Sequence, residues 1–146
     1  MIVIADTSGI LAASDRNSTE ASNCQGILNE AGTVVLSPLV LTEVDHMAKA
    51  RFGPAARTKI IAFLVAQAQK LRFQIPDVNT DLLQTAQAVQ RRYRSLDLDL
   101  ADAVNVALAA EYRTNAILTL DRRDFRAVLP LTAHKAFSLL PDDLDR

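Results

Sequence analysis

Short apolar runs, separated by longer stretches of helical character, constrain the fold of this chain more than any other feature. The runs span residues 2–5, 33–36, 71–75 and 116–120, with a weaker candidate at 135–139. Runs of this length bounded by polar residues are typical of strands buried on both faces. Such strands alternating with helices predict an α/β fold, in which a parallel sheet of four or five strands is covered by helices on both sides.

Helix start signals stand between the runs. Ser37 and Pro38 are a favoured cap and first-turn residue for a helix that we expect to end near Gly53, and Pro54 begins a long helix to about residue 70. Further helices are expected through residues 11–12 and over 17–31, 79–93 and 99–113. The chain has 146 residues, with no linker and no internal repeat, which predicts one domain spanning residues 1–146.

Several classes of protein are excluded. The longest apolar run, residues 60–66, is far short of the ~20 residues that a membrane-spanning helix needs. The N-terminus has no basic region and carries an aspartate at position 6, unlike a signal peptide. Cys24 is the only cysteine, so no internal disulfide or thiol metal site can form. We therefore expect a cytoplasmic protein with no membrane association.

Two aspartates directly follow predicted strands. Asp6 comes after the first strand and Asp121 after the fourth. In parallel sheets, ligands bind outside the carboxyl ends of the strands, so both side chains are candidates for one site. Each aspartate taken alone fits a helix cap about as well.

Glu43 lies on the apolar stripe of the helix that begins at Pro38, one turn from Val40 and Met47. An ionised glutamate on a buried face is costly unless it is paired or binds a metal. The alternative is that Glu43 lies at the edge of the stripe and reaches solvent or an arginine.

The segment 96–103 holds three more aspartates. Asp99 is the expected helix cap, and Asp102 lies at the third helical position, where the helix dipole also favours a carboxylate. The residues after Asp102 are nearly all apolar, which predicts a buried helix whose N-terminus opens beside Asp6 and Asp121.

Carboxylates converging at one point cannot all stay ionised without a cation. Oxygen ligands without histidine or cysteine favour Mg²⁺ or Mn²⁺. A typical reaction of such a site is attack of metal-activated water on a phosphodiester. The net charge is −1 and arginines outnumber lysines, which is compatible with modest nucleic-acid binding.

The order of these motifs resembles the PIN-domain ribonucleases, specifically the VapC-type toxins of bacterial toxin–antitoxin pairs. The matching stretches cover nearly the whole chain, at residues 4–8, 37–43, 100–105 and 114–125. The resemblance implies a three-layer PIN-like fold and a Mg²⁺- or Mn²⁺-dependent endoribonuclease toxin. Its substrate would be structured RNA such as tRNA or an rRNA stem-loop, and a VapB-type antitoxin would neutralise it.

The resemblance also assigns site residues. Asp6, Glu43, Asp102 and Asp121 match the four acidic positions of the family, as catalytic residues and metal ligands. Supporting hydroxyl groups are expected from the residues Thr7, Ser8 and Thr119. The alternative is a catalytically inactive PIN-like module that binds RNA or protein. A haloacid-type phosphatase is disfavoured because Ser8 stands where its second aspartate belongs, and a receiver domain because no lysine lies between residues 70 and 135.

Basic residues are candidates for RNA contact. The candidates are Arg122 and Arg123, after the fourth strand, and Lys49 and Arg51, near the Gly53 turn. A solvated loop explains Arg122 and Arg123 equally well. The arginines at 91, 92 and 94 end a helix, where the dipole alone favours cations.

Two further expectations concern the surface. The resemblance implies a homodimer, for which Ile60, Ile61, Leu64 and Val65 offer an apolar helix face, although any one of them is more simply a core residue. The aspartates at 142, 143 and 145 are interpreted as a solvated acidic tail.

Overall fold

Five parallel strands form one sheet in the computed structural model, which describes residues 1–144. In the order in which they lie, the strands are β3 (Phe73–Gln74), β2 (Thr33–Val35), β1 (Ile2–Ala5), β4 (Ala116–Leu118) and β5 (Ser138–Leu140). The central strand β1 pairs Ile4 with Val35 on one side and with Ile117 on the other. The predicted parallel sheet is confirmed, and the weak fifth candidate is a strand.

Helices cover both faces of the sheet. They are α1 (Thr7–Ala13), α2 (Ala21–Glu30), α3 (Pro38–Phe52), α4 (Pro54–Gln69), α5 (Thr80–Arg92), α6 (Leu100–Glu111) and α7 (Arg122–Ala127). Successive strand residues point to opposite faces. Val3 and Ala5 therefore pack with α1 to α4, whereas Ile4 packs with α5, α6 and α7. This is the three-layer arrangement predicted for the family.

The elements differ from the prediction at several positions, of which three have a clear physical cause. α2 begins at Ala21 instead of residue 17, because Asp15 and Ser18 side chains accept backbone N–H groups of the preceding turn. β3 has only two residues, since Leu71 adopts a positive φ of 63° just before it. α7 was not predicted, because its only buried residue is Phe125 and no apolar periodicity marks it.

Three helix caps and one glycine fix the elements around the carboxyl edge of the sheet, by which we mean the edge at which the strands end. Ser37 and Asn79 accept the amides of residues 39 and 82, and Asp99 accepts that of Asp102. α1 presses so closely on β4 that a Cβ on Gly9 would lie 2.6 Å from the Leu118 Cγ. No other residue type fits there without a shift of the helix.

Hydrogen bonds to α7 hold the C-terminal segment in place. The prediction of a solvated tail is therefore wrong for Asp142 and Asp143, its described aspartates. Arg126 of α7 donates to Asp142 at 2.8 Å and to both carboxylate oxygens of Asp143 at 2.7 Å. Asp143 is buried and also accepts the Leu139 amide. Asp145 lies outside the described residues. Within residues 1–144, no helix is long and apolar enough to cross a membrane.

Candidate active site

Asp6 lies at the centre of the carboxyl edge, directly after β1, and its side chain is 4% exposed. Thr119 donates to its Oδ2 at 2.8 Å, and longer contacts of 3.4 Å come from Ser8 Oγ and Asn105 Nδ2. Burial raises the pKa of Asp6 to about 6, the nearby Asp121 and Glu43 charges add to this, and the Thr119 hydrogen bond opposes it. Asp6 is therefore a buried carboxyl held in one orientation.

The hydroxyl groups of Ser8 and Thr119 connect this carboxyl to the segment after β4. Thr119 Oγ1 accepts the Asp121 amide at 2.9 Å, and Ser8 Oγ accepts the Leu120 amide at 2.9 Å. The two hydroxyl oxygens are 3.2 Å apart. A side chain on α1 and one after β4 thereby fix the backbone that carries Asp121.

Glu43 projects from α3 and is half-buried, next to the fully buried Val40 and Val44. Its Oε1 accepts a 2.7 Å hydrogen bond from the Thr7 hydroxyl, whereas Oε2 has no hydrogen-bond partner among residues 1–144. No arginine pairs with Glu43 within that range, in contrast to one alternative raised from the sequence.

Asp99 and Asp102 have separate roles at the start of α6. Asp99 is exposed, and its Oδ1 accepts the Asp102 amide at 2.9 Å, as a helix cap does. The Asp102 side chain is half-buried. Burial, and then the charges of Asp6, Asp99, Asp121 and Glu43, raise the pKa of Asp102 to about 8. Asp102 is therefore close enough to the other three predicted carboxyls to interact with their charges.

Asp121 is the N-cap residue of α7. Burial raises its pKa, with a further contribution from Asp124. Three carboxylate oxygens, one from each of Asp102, Asp121 and Asp124, lie within 4.8 Å of one another. Asp124 was not predicted from the sequence, although its spacing three residues after Asp121 at a helix start was the available signal.

A divalent cation fits this donor set. Burial first, and then repulsion between the carboxyls, raises the pKa values of Asp6, Asp102 and Asp121, and a bound cation would lower them again. Asn105 is fully buried in α6 beside Asp6, and its Oδ1 has no hydrogen-bond partner among residues 1–144. Asn105 was not predicted as a site residue, although it is the one polar residue in the stretch 103–110. The available ligands are oxygens, the preference of Mg²⁺ and Mn²⁺.

The basic candidates lie in different surroundings. Arg122 is half-buried, 3.9 Å from Glu20 and 3.8 Å from Asp142, and its Nε has no hydrogen-bond partner within the described chain. Arg123 is exposed, and its charge lowers the pKa of Asp121. Lys49 and Arg51 are exposed on the last turn of α3, at least six residues or ~9 Å along the helix from Glu43.

Comparison with known proteins gives a consistent result. A sequence-family profile described as PIN domain matches residues 3–128. Ribonuclease VapC26 of Mycobacterium tuberculosis is 32% identical over 142 residues, which are 95% of this chain and 100% of that protein.

Solved structures share the fold at lower identity. The sarcin–ricin loop cleaving toxin VapC20 of M. tuberculosis superposes with a TM-score of 0.72 at 18% identity, covering 82% of this chain and 89% of that one. VapBC2 of Rickettsia felis, bound to a DNA fragment from its promoter, gives 0.66 at 17% identity, with 90% and 96% covered. A toxin–antitoxin complex of Klebsiella pneumoniae gives 0.61 at 21%, with 92% and 98% covered.

Proposed function

This chain belongs to the PIN domain family, among its VapC-type ribonuclease toxins, and from this premise we propose that it cleaves structured RNA with the help of a divalent metal ion. The observation that carries the proposal is the convergence of Asp6, Glu43, Asp102 and Asp121 at the carboxyl edge of the sheet. Asp124 is a fifth carboxylate in this group. The donor set consists of oxygens suited to Mg²⁺ or Mn²⁺.

We assign the metal ligands to Asp6, Asp102 and Asp121, with Glu43 and Asp124 as further ligands at the two sides of the site. A bound divalent ion would supply a lower pKa for the attacking water and would stabilise negative charge on the phosphate oxygens. The protein supplies the positions of the ligands. Thr119 orients Asp6, and Thr7 holds Glu43 by its Oε1 and leaves Oε2 available. Oε2 is thus the Glu43 oxygen that can face the ion or a water molecule.

The proposed substrate is a folded RNA, either a tRNA or an rRNA stem-loop. The structural neighbour VapC20 is a sarcin–ricin loop cleaving toxin. The low aromatic content, 5%, offers little for stacking on single-stranded bases. Recognition through the shape and backbone of a folded RNA suits such a surface better.

Purified protein incubated with total tRNA and with a synthetic sarcin–ricin stem-loop tests this function. We expect discrete cuts in Mg²⁺ or Mn²⁺, none in EDTA, and recovery when metal is restored. The Asp102→Asn variant should be inactive, and its matched neighbour Asp99→Asn active. Cleavage that persists in EDTA would contradict the metal mechanism. RNA binding without any cleavage would favour the inactive PIN-like module instead.

The proposal includes a VapB-type antitoxin as partner, because two solved relatives are toxin–antitoxin assemblies. A cavity of about 500 Å³ between α1, α2 and α4 has an apolar floor that includes Ile10, Leu28 and Phe63. Arg16 and Lys59 lie among its lining residues. We propose that an apolar antitoxin segment with flanking carboxylates occupies it.

Two matched variants of α4 test this contact. Phe63 lines the cavity and is 46% exposed, whereas Val65 is 41% exposed and does not line it. Co-expressed with the antitoxin from its own operon, Phe63→Asp should lose co-purification and neutralisation, and Val65→Asp should keep both. If both variants still co-purify with the antitoxin and are neutralised by it, this cavity is not the docking site.

A homodimer remains a prediction. Of the residues proposed for its interface, Leu64 is buried and Ile60 and Ile61 pack against the core, which leaves Val65 as the exposed one. Light scattering should give twice the chain mass of 15.9 kDa at micromolar concentration. A mass equal to that of one chain would refute the dimer.

A further inference from the structure

The C-terminal end of α5 carries arginines that the proposed chemistry does not use. Arg91, Arg92 and Arg94 are all exposed. Within residues 1–144, no carboxylate lies at ion-pair distance from any of them. Arg92 lies over the Tyr93 ring, 5.3 Å from its centroid. Arg91 and Arg94 are thus left to interact with an anion from outside the described chain.

Four other arginines of the described chain already have partners, whereas Arg16, Arg51, Arg113 and Arg123 have no ion-pair partner there and are spread along the sequence instead of forming a cluster. Arg57 pairs with Asp45 at 3.1 Å, Arg122 lies between two carboxylates and Arg126 holds the C-terminal aspartates. Arg72 donates to three backbone carbonyl groups at the end of α2. The concentration of unpaired guanidinium groups at the end of α5 is therefore distinctive.

These arginines share a concave surface with glutamines. Gln87, Gln90, Arg91 and Arg94 line a cavity of about 390 Å³. The spacing of Gln87, Gln90 and Arg91 places them along one side of α5, apart from the buried Ala86 and Val89, and Arg94 follows just after the end of the helix. Guanidinium and amide N–H groups are the donors that phosphate oxygens accept most readily, and Arg can do so in bidentate fashion.

This surface lies next to the carboxylate site. The chain passes from α5 through a short 3-10 helix, Arg94–Leu96, to Asp99, the cap of the helix that carries Asp102. The Gln90 side chain donates to the Leu98 carbonyl at 3.0 Å, which ties the end of α5 to this connection. Because Leu98 directly precedes the Asp99 cap, this contact puts the end of α5 at the same edge of the sheet as the start of α6 and Asp102.

We propose that Arg91 and Arg94, with Gln87 beside them, bind backbone phosphates of the RNA and hold it against the carboxylate site. The inference rests on the proposed function and names the surface that serves it. A centre of five carboxylates repels RNA, and the net charge of −1 gives no general attraction. A basic surface at the same edge would offset this repulsion locally, because contacts with phosphates position a nucleic acid on its protein.

RNA affinity measured in EDTA, where no cleavage occurs, tests the surface separately from the chemistry. The probe is a fluorescein-labelled sarcin–ricin stem-loop, followed by anisotropy between 50 and 200 mM salt. For Arg91→Gln/Arg94→Gln we expect Kd to rise about tenfold at low salt. Because two phosphate contacts are lost, the plot of log K against log salt should also become less steep, by about 1–2 in slope. The Arg91→Lys/Arg94→Lys variant keeps the charges and should keep the slope.

The matched control removes the same charge from the opposite edge of the sheet. Arg113 follows the C-terminal end of α6 and Lys135 precedes β5, and both are exposed. Arg113→Gln/Lys135→Gln should bind within twofold of the unmodified protein. An equal loss in this control would overturn the proposal, since it would show a general charge effect.

Other outcomes also decide the question. If Arg91→Gln/Arg94→Gln binds RNA with unchanged affinity and unchanged salt slope, the proposed RNA contact is wrong. A lowered melting temperature with no loss of RNA binding would show that these arginines only stabilise the helix end. With Mg²⁺ present, KM should rise while kcat stays constant. If the unmodified protein binds RNA through these residues but cuts none, the surface stands and the ribonuclease proposal fails.

Discussion

Replacing Asp102 with asparagine should stop RNA cleavage and at the same time stabilise the metal-free protein. Asparagine keeps the shape of the side chain, and the backbone amide of residue 102 can still donate to Asp99. The substitution removes one negative charge from a half-buried group whose neighbours include Asp6 and Asp121. Loss of this charge weakens metal binding but relieves repulsion when no metal is present.

The magnitude follows from the pKa of Asp102, which rises from 3.8 to about 8 on folding. A group that binds its proton more tightly in the folded state lowers stability as pH rises between these two values. At pH 7 the full penalty would be about 4 kcal/mol, at 1.36 kcal/mol for each pH unit above 3.8. The side chain is partly open to solvent, which screens its charge, so we expect Asp102→Asn to stabilise by about 1–2 kcal/mol.

Urea denaturation in EDTA at pH 4, 6 and 8 measures this difference. The stabilisation should be near zero at pH 4 and largest at pH 8. Calorimetric titration with Mn²⁺ should show weaker binding by the variant. Asp99→Asn is the control, because asparagine caps a helix about as well as aspartate. Since the Asp99 charge also raises the pKa of Asp102, this variant should stabilise the protein at pH 8, but by less than Asp102→Asn, and it should weaken Mn²⁺ binding less. If Asp102→Asn proves less stable than the unmodified protein at pH 8, the electrostatic reasoning is wrong.

Three other substitutions test the framework of the site. Asp99→Ala removes the α6 cap and should cost about 1 kcal/mol in urea denaturation, with cleavage reduced less than by Asp102→Asn. Gly9→Ala places a methyl group against Leu118 and should cost about 1–3 kcal/mol, whereas Gly26→Ala, at an open position, should not destabilise the protein. Asp143→Asn weakens the contact with Arg126 and should lower the free energy of unfolding by about 1–3 kcal/mol. An unchanged melting temperature would contradict the last expectation.

The sequence predicted the parts of the site that follow strong local patterns. Asp6 and Asp121 follow apolar runs, and Asp99 caps an apolar helix, so their positions come from burial and capping alone. Asp124 escaped prediction because α7 buries little and its first turn contains adjacent arginines that suit a loop equally well. The proximity of Arg94 to the site depends on how two helices pack, which no local pattern reveals.

The register of two strands explains why the carboxylate site has the dimensions it does. β1 and β4 pair Ala5 with Leu118, so the next residues, Asp6 and Thr119, begin side by side at the end of the sheet. The Asp6 amide donates to the Leu118 carbonyl at 2.9 Å, which continues the pairing to the last position before the chains diverge. The 2.8 Å hydrogen bond from Thr119 to Asp6 is therefore set by the backbone.

The same register determines where Asp121 lies. Thr119 accepts the Asp121 amide, so the hydroxyl that orients Asp6 also bends the chain that presents Asp121. A slip of one residue between β1 and β4 would turn Thr119 to the other face of the sheet and break its hydrogen bond to Asp6. The apolar contacts of Ile4, Ile117 and their neighbours prevent such a slip, because it would expose core side chains. Core packing in the sheet thus holds carboxylates at a fixed spacing, although their charges repel one another.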